Sequence, residues 1–273
     1  MAICAHPPVA LVTGASSGIG KSIALALLKE GYIVYGAARR ADQLAPIQAA
    51  GGRVLYMDIT DKAAVDAGVA QVLNEQPRID VLINAAGYGQ YGALEDIPMD
   101  DAHRQFDVNV FGTARLIQKV LPKMREQAAG KIVNVTSVGG KIYTPMGGWY
   151  HASKFALEGY SDVLRLETRP FGIDVIVIEP GIIATGWGDI AIAEAQRLSG
   201  TGPYIKLLRQ YVEVQRQSEG SSPEAIAKLT LKALKASRPR ARYHAGAMAG
   251  PILFLRWLLS DAMFDRLVMM SFR

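Results

Sequence analysis

The sequence contains a single cysteine, Cys4, among its 273 residues, so no intrachain disulfide can form. Its four histidines and one cysteine lack the spacing of metal ligands, and we therefore expect no metal site. The N-terminus has no basic segment followed by a long apolar one, as a secretory signal would require. Together these absences predict a reducing, cytoplasmic location.

Long apolar runs are also missing. The most apolar stretch, residues 245–259, is too short for a membrane span and is interrupted by Pro251 and Arg256, so we expect no transmembrane segment. We interpret this stretch as a buried or lid-forming helix, with peripheral membrane contact as the alternative. The net charge of +5 includes an excess of lysine and arginine after residue 201. These charges are spaced as on solvated helices, without interleaved aromatics, so we expect no nucleic-acid partner.

Short β-branched segments alternate with longer helical patterns in the first two-thirds of the chain. The predicted strands are residues 9–13, 33–37, 53–57, 81–84, 131–136 and 173–179. The predicted helices are residues 19–30, 42–50, 62–75, 101–127 and 150–169. Because the strand segments are mostly apolar throughout, they suit a parallel sheet covered on both faces. The pattern predicts an α/β fold, a Rossmann-type doubly wound parallel sheet in three α/β/α layers.

The last third of the chain adds smaller elements. A capping serine followed by proline and glutamate at residues 222–224 predicts a helix that runs to about Ala236, and residues 241–244 suit an edge strand. No repeat or linker divides the sequence, so residues 1–273 are expected to form a single dinucleotide-binding catalytic domain. Within it we expect a lid insertion at residues 189–217 and a C-terminal helical segment at residues 245–273, which would act as a helical lid.

A glycine-rich turn at residues 13–20 follows the first strand and opens the first helix. Gly14 permits a tight turn, Gly18 lets the backbone approach a pyrophosphate, and Gly20 allows close packing of helix on strand. The free N–H groups at the start of the helix would bind phosphates. The predicted cofactor contacts of this turn are Gly14, Ser16, Ser17, Gly18, Ile19 and Gly20.

The end of the second strand selects the cofactor. Arg39 and Arg40 stand there with no carboxylate before Asp42. An NAD site usually has an acidic residue at this point, whereas arginine accommodates the 2′-phosphate of NADP. We therefore predict NADP(H), with Arg39 on the phosphate and Arg40 assisting. The alternative is that both arginines are solvated loop charges.

Two further strand ends complete the predicted cofactor site. Asp58 and Ile59 follow the third strand, where the carboxylate can accept a hydrogen bond from adenine; helix capping is the rival role for Asp58. The fourth strand ends in small residues that permit close approach of a cofactor, at the edge where such sheets bind ligands. These residues are Asn84, Ala85, Ala86 and Gly87. The alternative for Asn84 is that it braces the central strands.

Tyr150 and Lys154 are four residues apart, which places them on nearly the same face of a helix. The ammonium of Lys154 would favour phenolate and lower the tyrosine pKa from its ordinary value of about 10. Such a phenol can exchange a proton with a substrate near neutral pH. Ser137, upstream, is a second hydrogen-bond donor for an oxygen that gains negative charge. The alternative is that Tyr150 and Lys154 are simply neighbours on the surface of a helix, without a catalytic role.

With these residues assembled, the chain resembles the short-chain dehydrogenase/reductase family. The matching elements, in order, are residues 13–20, residues 84–87, Asn109, Ser137 with Tyr150 and Lys154, and Pro180 and Gly181 followed by Thr185. The resemblance implies that Tyr150 donates or accepts the proton, Lys154 binds the nicotinamide ribose, and Ser137 binds the substrate carbonyl. It also implies that Asn109 supports a proton relay through Lys154.

The resemblance further implies that Thr185 holds the nicotinamide carboxamide, while Pro180 and Gly181 shape the backbone beneath the ring. It implies a homodimer or homotetramer that packs through residues 101–127 and 150–169. The arginine-containing loop, the long lid and the C-terminal region are similar to the NADP-preferring group around 17β-hydroxysteroid and retinol dehydrogenases. The chemistry implied is carbonyl reduction, or the reverse alcohol oxidation.

A small apolar carbonyl or alcohol is the expected substrate. Tyr143 and Trp187, with Ser137 and Tyr150, are predicted to bind it, and Met146, Trp149 and Tyr204 also flank the catalytic segment or the lid. Core packing is the alternative for each aromatic residue, and we expect His151 to pack or face solvent. Two other functions compete: an NADP(H)-binding redox sensor with little turnover, and an epimerase or dehydratase of the extended branch of the family. The intact Ser137–Tyr150–Lys154 set disfavours the first, and the small C-terminal region disfavours the second.

Overall fold

Seven parallel strands form the central sheet of the computed structural model, which describes residues 6–272. The strands are β1 (Val9–Thr13), β2 (Ile33–Ala38), β3 (Arg53–Tyr56), β4 (Val81–Asn84), β5 (Gly130–Val135), β6 (Ile173–Pro180) and β7 (Arg242–Ala245). Their order is β3-β2-β1-β4-β5-β6-β7, so the direction of winding reverses between β1 and β4. The predicted doubly wound fold and its edge strand are confirmed. Cys4 lies outside the described residues.

Helices cover both faces of the sheet and its C-terminal end. They are α1 (Gly18–Lys29), α2 (Ala45–Ala49), α3 (Lys62–Glu75), α4 (Met99–Phe106), α5 (Thr113–Glu126), α6 (Gly148–Thr168), α7 (Trp187–Ser199), α8 (Ile205–Gln217), α9 (Pro223–Lys235), α10 (Ala249–Leu258) and α11 (Asp261–Met270). One apolar core joins α1 and α9 to the sheet, and a second joins α3 and α5 to its other face. Because parallel strands are buried on both faces, β1 and β4 are apolar along their whole length.

A third apolar cluster lies over the carboxyl ends of the strands. It combines residues of the α6 region with the helices α7, α8 and α11; its buried members include Tyr91, Tyr150, Ala195, Tyr211 and Phe264. The predicted lid segment thus consists of two helices, α7 and α8, separated at residues 200–204. No helix in residues 6–272 has the length and apolar character that crossing a membrane requires.

Three predicted helices differ from the structure. Residues 101–127 are not one helix, because a π-helical turn at Asp107–Gly112 separates α4 from α5. Residues 42–50 form a 3-10 turn and the short α2, whose first turn contains Pro46, a residue that lacks an N–H donor. Within residues 245–259, only residues 249–258 are helical, and the side chains of Phe254 and Trp257 are 56% and 78% exposed. This helix is therefore not buried, since one face packs inward and the other meets solvent.

Candidate active site

The glycine turn after β1 packs against the end of β4. Gly14 has a positive φ of 67°, and a Cβ atom there would lie 2.7 Å from the carbonyl oxygen of Ala85. The Thr13 hydroxyl accepts hydrogen bonds from the N–H groups of Ala85 and Ala86 at 3.1 and 3.2 Å. These contacts hold two of the predicted cofactor segments side by side at the point where the sheet reverses its winding. Ligands bind to doubly wound sheets at such a point.

The start of α1 is free to bind an anion. Ser17 is its N-cap residue, and its side chain makes no capping hydrogen bond within the described part of the chain. Gly18, the next residue, has φ of 51°, and a Cβ atom there would lie 3.3 Å from Thr185 Cγ2. Thr185, which follows β6, therefore lies directly over the glycine turn. The unsatisfied N–H groups and the positive end of the helix dipole suit a phosphate.

Arg39 and Arg40 are exposed at the carboxyl end of β2. The Arg39 side chain is 57% exposed, and its guanidinium lies 4.0 Å from Asp58 Oδ2. Asp58 itself accepts hydrogen bonds from the Thr60 backbone and hydroxyl at 2.9 and 2.8 Å, which is the capping role considered above. Ile59 is buried and its carbonyl accepts a hydrogen bond from Arg115. Arg39 is thus placed near Asp58 and open to solvent, as the 2′-phosphate prediction requires.

Asn84 lies inside the sheet. Its amide donates a hydrogen bond to Asn134 Oδ1 on β5 at 2.9 Å, and the Asn134 amide donates to the Ser161 hydroxyl at 2.8 Å. The side chain therefore braces β4 against β5 and, through Ser161, against α6. Asn84 Oδ1 is buried without a hydrogen-bond partner among residues 6–272. The contacts of Asn84 are therefore those of a residue that braces the central strands, the alternative given for it from the sequence.

The π-helical turn places Asn109 in the interior. Its side chain bonds both backbone groups of Tyr88, accepting from the N–H at 3.1 Å and donating to the carbonyl at 3.0 Å. Its amide also donates to the Ser153 hydroxyl at 3.0 Å. A Cβ atom on Gly87 would lie 3.1 Å from Asn109 Oδ1 and 3.7 Å from Lys154 Nζ. Asn109 and Lys154 thus meet beside Gly87, and π-helical turns are often found at functional sites.

Tyr150 and Lys154 are buried one turn apart on α6. Lys154 Nζ lies 5.9 Å from the centre of the Tyr150 ring and donates a hydrogen bond to the Val135 carbonyl at 3.1 Å. Ser137 follows β5, and its hydroxyl accepts a hydrogen bond from the Gly139 N–H at 2.9 Å. The three predicted catalytic side chains therefore come together where the carboxyl end of β5 meets the first turns of α6.

Burial controls the protonation of this pair. Desolvation raises the pKa of Tyr150 to about 12, and a hydrogen bond with Ser137 opposes that rise. Desolvation also lowers the pKa of Lys154 to about 8, against the attraction of the Glu158 carboxylate. The predicted lowering of the tyrosine pKa by Lys154 is wrong for this arrangement. The reason is that both groups are removed from water while the ammonium bonds a backbone carbonyl.

Glu158, one turn beyond Lys154, is the centre of a buried ion cluster. Its carboxylate accepts a hydrogen bond from the Thr136 hydroxyl at 2.6 Å and pairs with Lys141 at 3.0 Å and with Arg242 at 2.9 Å. Arg242 Nε also lies 3.5 Å from Glu179 Oε1 on β6. Thr136 and Lys141 lie on either side of the Ser137 turn. Glu158 therefore holds the turn that carries Ser137 against the helix that carries Tyr150.

His151 holds the loop that follows Ser137, because its ring contacts the backbone of Gly139 and Thr144. The ring is buried, its Nδ1 lies 2.9 Å from the Gly139 carbonyl, and its Nε2 accepts the Thr144 N–H at 3.1 Å. These partners define a neutral ring that donates through Nδ1. Burial lowers the pKa of His151, which favours the same neutral form. The sequence left open whether His151 packs inside the protein or faces solvent, and the structure shows that it packs inside.

Aromatic side chains surround the Tyr150 ring. The Tyr150 ring centre lies 5.3 Å from that of Trp187 and 5.5 Å from that of Tyr91, and Tyr91 stacks on Tyr211 at 5.3 Å. Trp187, a predicted substrate contact, thus packs directly against the Tyr150 ring. Tyr143 lies further out, with its hydroxyl bonded to Asp265 and its ring edge-on to Phe264 of α11.

The other flanking residues have different surroundings. Met146 is buried in the same cluster, Trp149 packs edge-on against Phe106, and the Tyr204 hydroxyl donates to Glu95 on the surface. Pro180 and Gly181 end β6 beside β7, where the Gly181 N–H donates to the Ala245 carbonyl at 2.8 Å.

Four residues of this region are absent from the sequence-based site: Tyr91, His151, Glu158 and Tyr211. Glu158 stands four residues after Lys154, so the helical spacing was a usable signal. Tyr211 lies beside Leu208 and Val212 on the buried face of α8, which its spacing could have shown. Tyr91 lies in a loop, where no periodicity marks which side chains turn inward.

A family model described as short chain dehydrogenase matches residues 8–193. The chain is 37% identical over 265 residues to a 3-ketodihydrosphingosine reductase of Bacteroides thetaiotaomicron, covering 94% of this chain and 96% of the relative. It is 32% identical over 277 residues to an NADPH-dependent 3-dehydrocapnine reductase of Ornithobacterium rhinotracheale, covering 94% and 95% of the two chains. The crystal structure of a short-chain dehydrogenase from Streptomyces avermitilis superposes with a TM-score of 0.83 at 33% identity, covering 97% of this chain and 96% of the other.

Proposed function

The chain belongs to the short-chain dehydrogenase family, an oxidoreductase family that uses nicotinamide cofactors, and we propose that it is NADP(H)-dependent. In this proposal a hydride passes between the nicotinamide and the carbonyl or secondary alcohol carbon of an apolar substrate. Tyr150 is the general acid for reduction and the general base for oxidation. The observation that carries the proposal is the convergence of Ser137 and Lys154 on Tyr150, which itself belongs to the aromatic cluster.

The residues at the carboxyl edge of the sheet fit a dinucleotide. The glycine turn, the uncapped start of α1 and the exposed Arg39 would hold the pyrophosphate and the 2′-phosphate. Thr185, over Gly18, would hold the carboxamide end, and the lack of a Cβ atom on Gly87 lets Asn109 and Lys154 approach the backbone there. When bound, the reduced nicotinamide supplies the hydride. The name of the Ornithobacterium relative states NADPH dependence for that protein, which supports the same choice here.

The chain's own groups manage the proton and the charge. As negative charge grows on the carbonyl oxygen, the hydroxyls of Ser137 and Tyr150 are the donors that meet it. Tyr150 is protonated at neutral pH because burial raises its pKa to about 12, so it is ready to donate. The ammonium of Lys154 offsets the phenolate that remains, and Asn109 beside it holds the path by which a proton returns. Since the pocket excludes water, each of these interactions is strengthened.

The substrate in this proposal is an apolar ketone or secondary alcohol. The apolar cluster that includes Tyr150 consists of aromatic and aliphatic side chains, and the helices α7 and α8 contribute several of them. The Bacteroides relative is named for a keto compound, 3-ketodihydrosphingosine, and this supports a ketone substrate for the present chain.

We also propose a homodimer or homotetramer. Large apolar side chains are exposed on α6 and at the π-helical turn: Phe111 at 55%, Phe155 at 45%, Val163 at 56% and Leu166 at 62%. Covering them would remove apolar surface from water. Light scattering on the purified chain measures the mass directly, and a monomer at micromolar concentration would contradict this assembly.

Replacement of Tyr150 by Phe tests the proposed reaction. We expect NADPH oxidation with ketone substrates to fall by about 100-fold or more, while NADPH binding followed by fluorescence is unchanged. Tyr160→Phe is the matched control, since Tyr160 lies on the same helix and packs in a different core. Turnover in the Tyr150 variant that equals that of the control would refute the proposed role.

A further inference from the structure

His151 is a buried histidine whose two ring nitrogens both have partners in the loop that follows Ser137. The ring is 7% exposed, its Nδ1 lies 2.9 Å from the Gly139 carbonyl oxygen, and its Nε2 accepts the N–H of Thr144 at 3.1 Å. A carbonyl can only accept a hydrogen bond and a backbone N–H can only donate one, so these partners select the neutral ring with its proton on Nδ1. One ring therefore joins both ends of the loop segment 139–144.

The backbone around the His151 ring leaves it little freedom to move. A Cβ atom on Gly139 would lie 3.1 Å from His151 Nδ1, and a Cβ atom on Gly147 would lie 2.9 Å from His151 Nε2. A side chain at either glycine would crowd the ring away from its hydrogen-bond partners. The Tyr150 ring lies edge-on to it, with the two ring centres 5.6 Å apart. The position of the imidazole is thus fixed by close contacts on several sides.

Gly139 connects the histidine to the Ser137 hydroxyl. The N–H of Gly139 donates to Ser137 Oγ at 2.9 Å, while the carbonyl of the same residue accepts the His151 proton. A Cβ atom on Gly139 would lie 3.2 Å from Ser137 Oγ and 3.1 Å from Tyr150 Cε1, so this residue packs against both hydroxyl-bearing side chains. The position of the Gly139 backbone therefore sets the direction of the hydrogen bond that Ser137 accepts.

The hydrogen bond that Ser137 accepts decides where its own proton points. A hydroxyl has one proton and two lone pairs, and the Gly139 N–H occupies one of the lone pairs. Burial raises the pKa of Tyr150, and the bond with Ser137 opposes that rise, which is the sign expected when the serine donates to the phenol oxygen. A substrate carbonyl at the same place also needs a donor. The orientation that Gly139 imposes is therefore the productive one for reduction.

We propose that His151 is a positioning residue for the reaction: by holding the Gly139 backbone, it directs the Ser137 proton toward the substrate carbonyl. This inference rests on the proposed function, which supplies the roles of Ser137 and Tyr150. His151 acts through Gly139 and takes no part in the proton transfer itself. The competing explanation is that the 3-10 turn at Val138–Gly140, which has backbone hydrogen bonds of its own, holds Ser137 without the histidine.

Two amide variants separate the two hydrogen bonds of the ring. In His151→Asn the shorter side chain keeps a donor near the position of Nδ1 for the Gly139 carbonyl, and in His151→Gln the longer one places its amide near Nε2 and Thr144. The assay is NADPH oxidation with methyl octyl ketone or acetophenone, whichever the wild type reduces faster. We expect kcat of His151→Asn to stay within about threefold of the wild type. His151→Gln should lose about tenfold to 100-fold in kcat with KM for the ketone changed by less than about threefold, because Ser137 stabilises charge that forms only in the transition state.

A second pair of variants tests whether the effect passes through Ser137. Adding His151→Gln to Ser137→Ala should lower kcat by less than about twofold more, since the hydroxyl that it misdirects is already absent. The same substitution at the exposed His103 of α4 is the matched control and should leave kcat unchanged. Equal losses in His151→Asn and His151→Gln, an active His151→Gln, or the same loss with and without the Ser137 hydroxyl would overturn the inference.

NMR of the wild type with isotope-labelled histidine gives a readout that does not depend on turnover. The proton of the neutral His151 ring should be on Nδ1, and a proton on Nε2 would overturn the inference whatever the variants do. Failure of the proposed function gives a different result. It would appear as an absence of ketone-dependent NADPH oxidation in the wild type, or as full activity in Tyr150→Phe, and the inference would then fall with it although the proton stays on Nδ1.

Discussion

The Glu158 carboxylate accepts a hydrogen bond from the Thr136 hydroxyl at 2.6 Å, and this contact joins the helix of Tyr150 to the strand end that precedes Ser137. Thr136 and Glu158 are both 3% exposed, so the bond forms out of contact with water. The same carboxylate pairs with Lys141 and Arg242. The relative position of Ser137 and Tyr150 therefore depends on one buried charge.

Glu158→Ala should destabilise the protein by about 1–3 kcal/mol, because it removes the buried carboxylate that accepts hydrogen bonds from the Thr136 hydroxyl and from Arg242. Asp162→Ala is the control: Asp162 also bonds Arg242, at 2.6 Å, but its side chain is 39% exposed. We expect less than about 1 kcal/mol for that variant. Chemical denaturation of both proteins measures the difference, and equal losses would show that Glu158 has no special role.

Arg39→Ala should lower kcat/KM for NADPH by about tenfold to 100-fold, because the guanidinium is the group placed to bind the 2′-phosphate. The value for NADH, which has no such phosphate, should change by less than about threefold. Arg40→Ala provides a comparison at the neighbouring exposed position and should have the smaller effect. Steady-state kinetics with both cofactors decides; a wild-type preference for NADH would contradict the NADP(H) assignment.

The pH dependence of ketone reduction should follow Lys154. Since the pKa of this amine is lowered to about 8, its charge is present below that pH and is lost above it. We expect kcat/KM to fall by about tenfold per pH unit on the alkaline side. Lys154→Arg keeps its charge and should remove this alkaline limb, although its activity is lower. Tyr150 stays protonated through the same range because its pKa is about 12, so a wild-type profile flat to pH 10 would exclude Lys154 as the titrating group.

Glu179 should make folding stability fall with rising pH. Desolvation and the nearby Glu158 raise the pKa of Glu179 to about 7, above the ordinary 4.5. Between those values the folded state holds a proton that the unfolded state has released, so stability decreases as pH rises through this window. Glu179→Gln should remove this decrease and be more stable than wild type at pH 8, but not at pH 4. Thermal melts of the two proteins across this range measure the effect, and parallel curves would contradict it.

Local sequence patterns predicted most of the sheet and the glycine turn. The strands were recognisable because a parallel strand buried on both faces must be apolar at every position, as β1 and β4 are. The turn at Gly14 was recognisable because its positive φ and its contact with Ala85 exclude other residues. In both cases the physical constraint acts on a few neighbouring residues.

Long-range contacts account for the errors. The side chain of Asn109 bonds the backbone of Tyr88, 21 residues earlier, and that bond accompanies a π-helical turn that helical periodicity does not reveal. The high pKa of Tyr150 follows from burial beneath helices that come some 40 to 120 residues later in the chain. No spacing between Tyr150 and Lys154 reports how much water the rest of the fold excludes.

The amino-acid sequence by itself determined the parallel sheet, the turn at the start of α1 and the identity of the Ser137, Tyr150 and Lys154 set, since each depends on residue type and short spacing. Only the tertiary structure decided the pKa values of Tyr150 and Lys154, the contacts that Glu158 and His151 make around them, and the packing of Tyr91 against the Tyr150 ring. Desolvation and hydrogen bonding between distant segments depend on which surfaces meet, and that is a property of the folded chain as a whole.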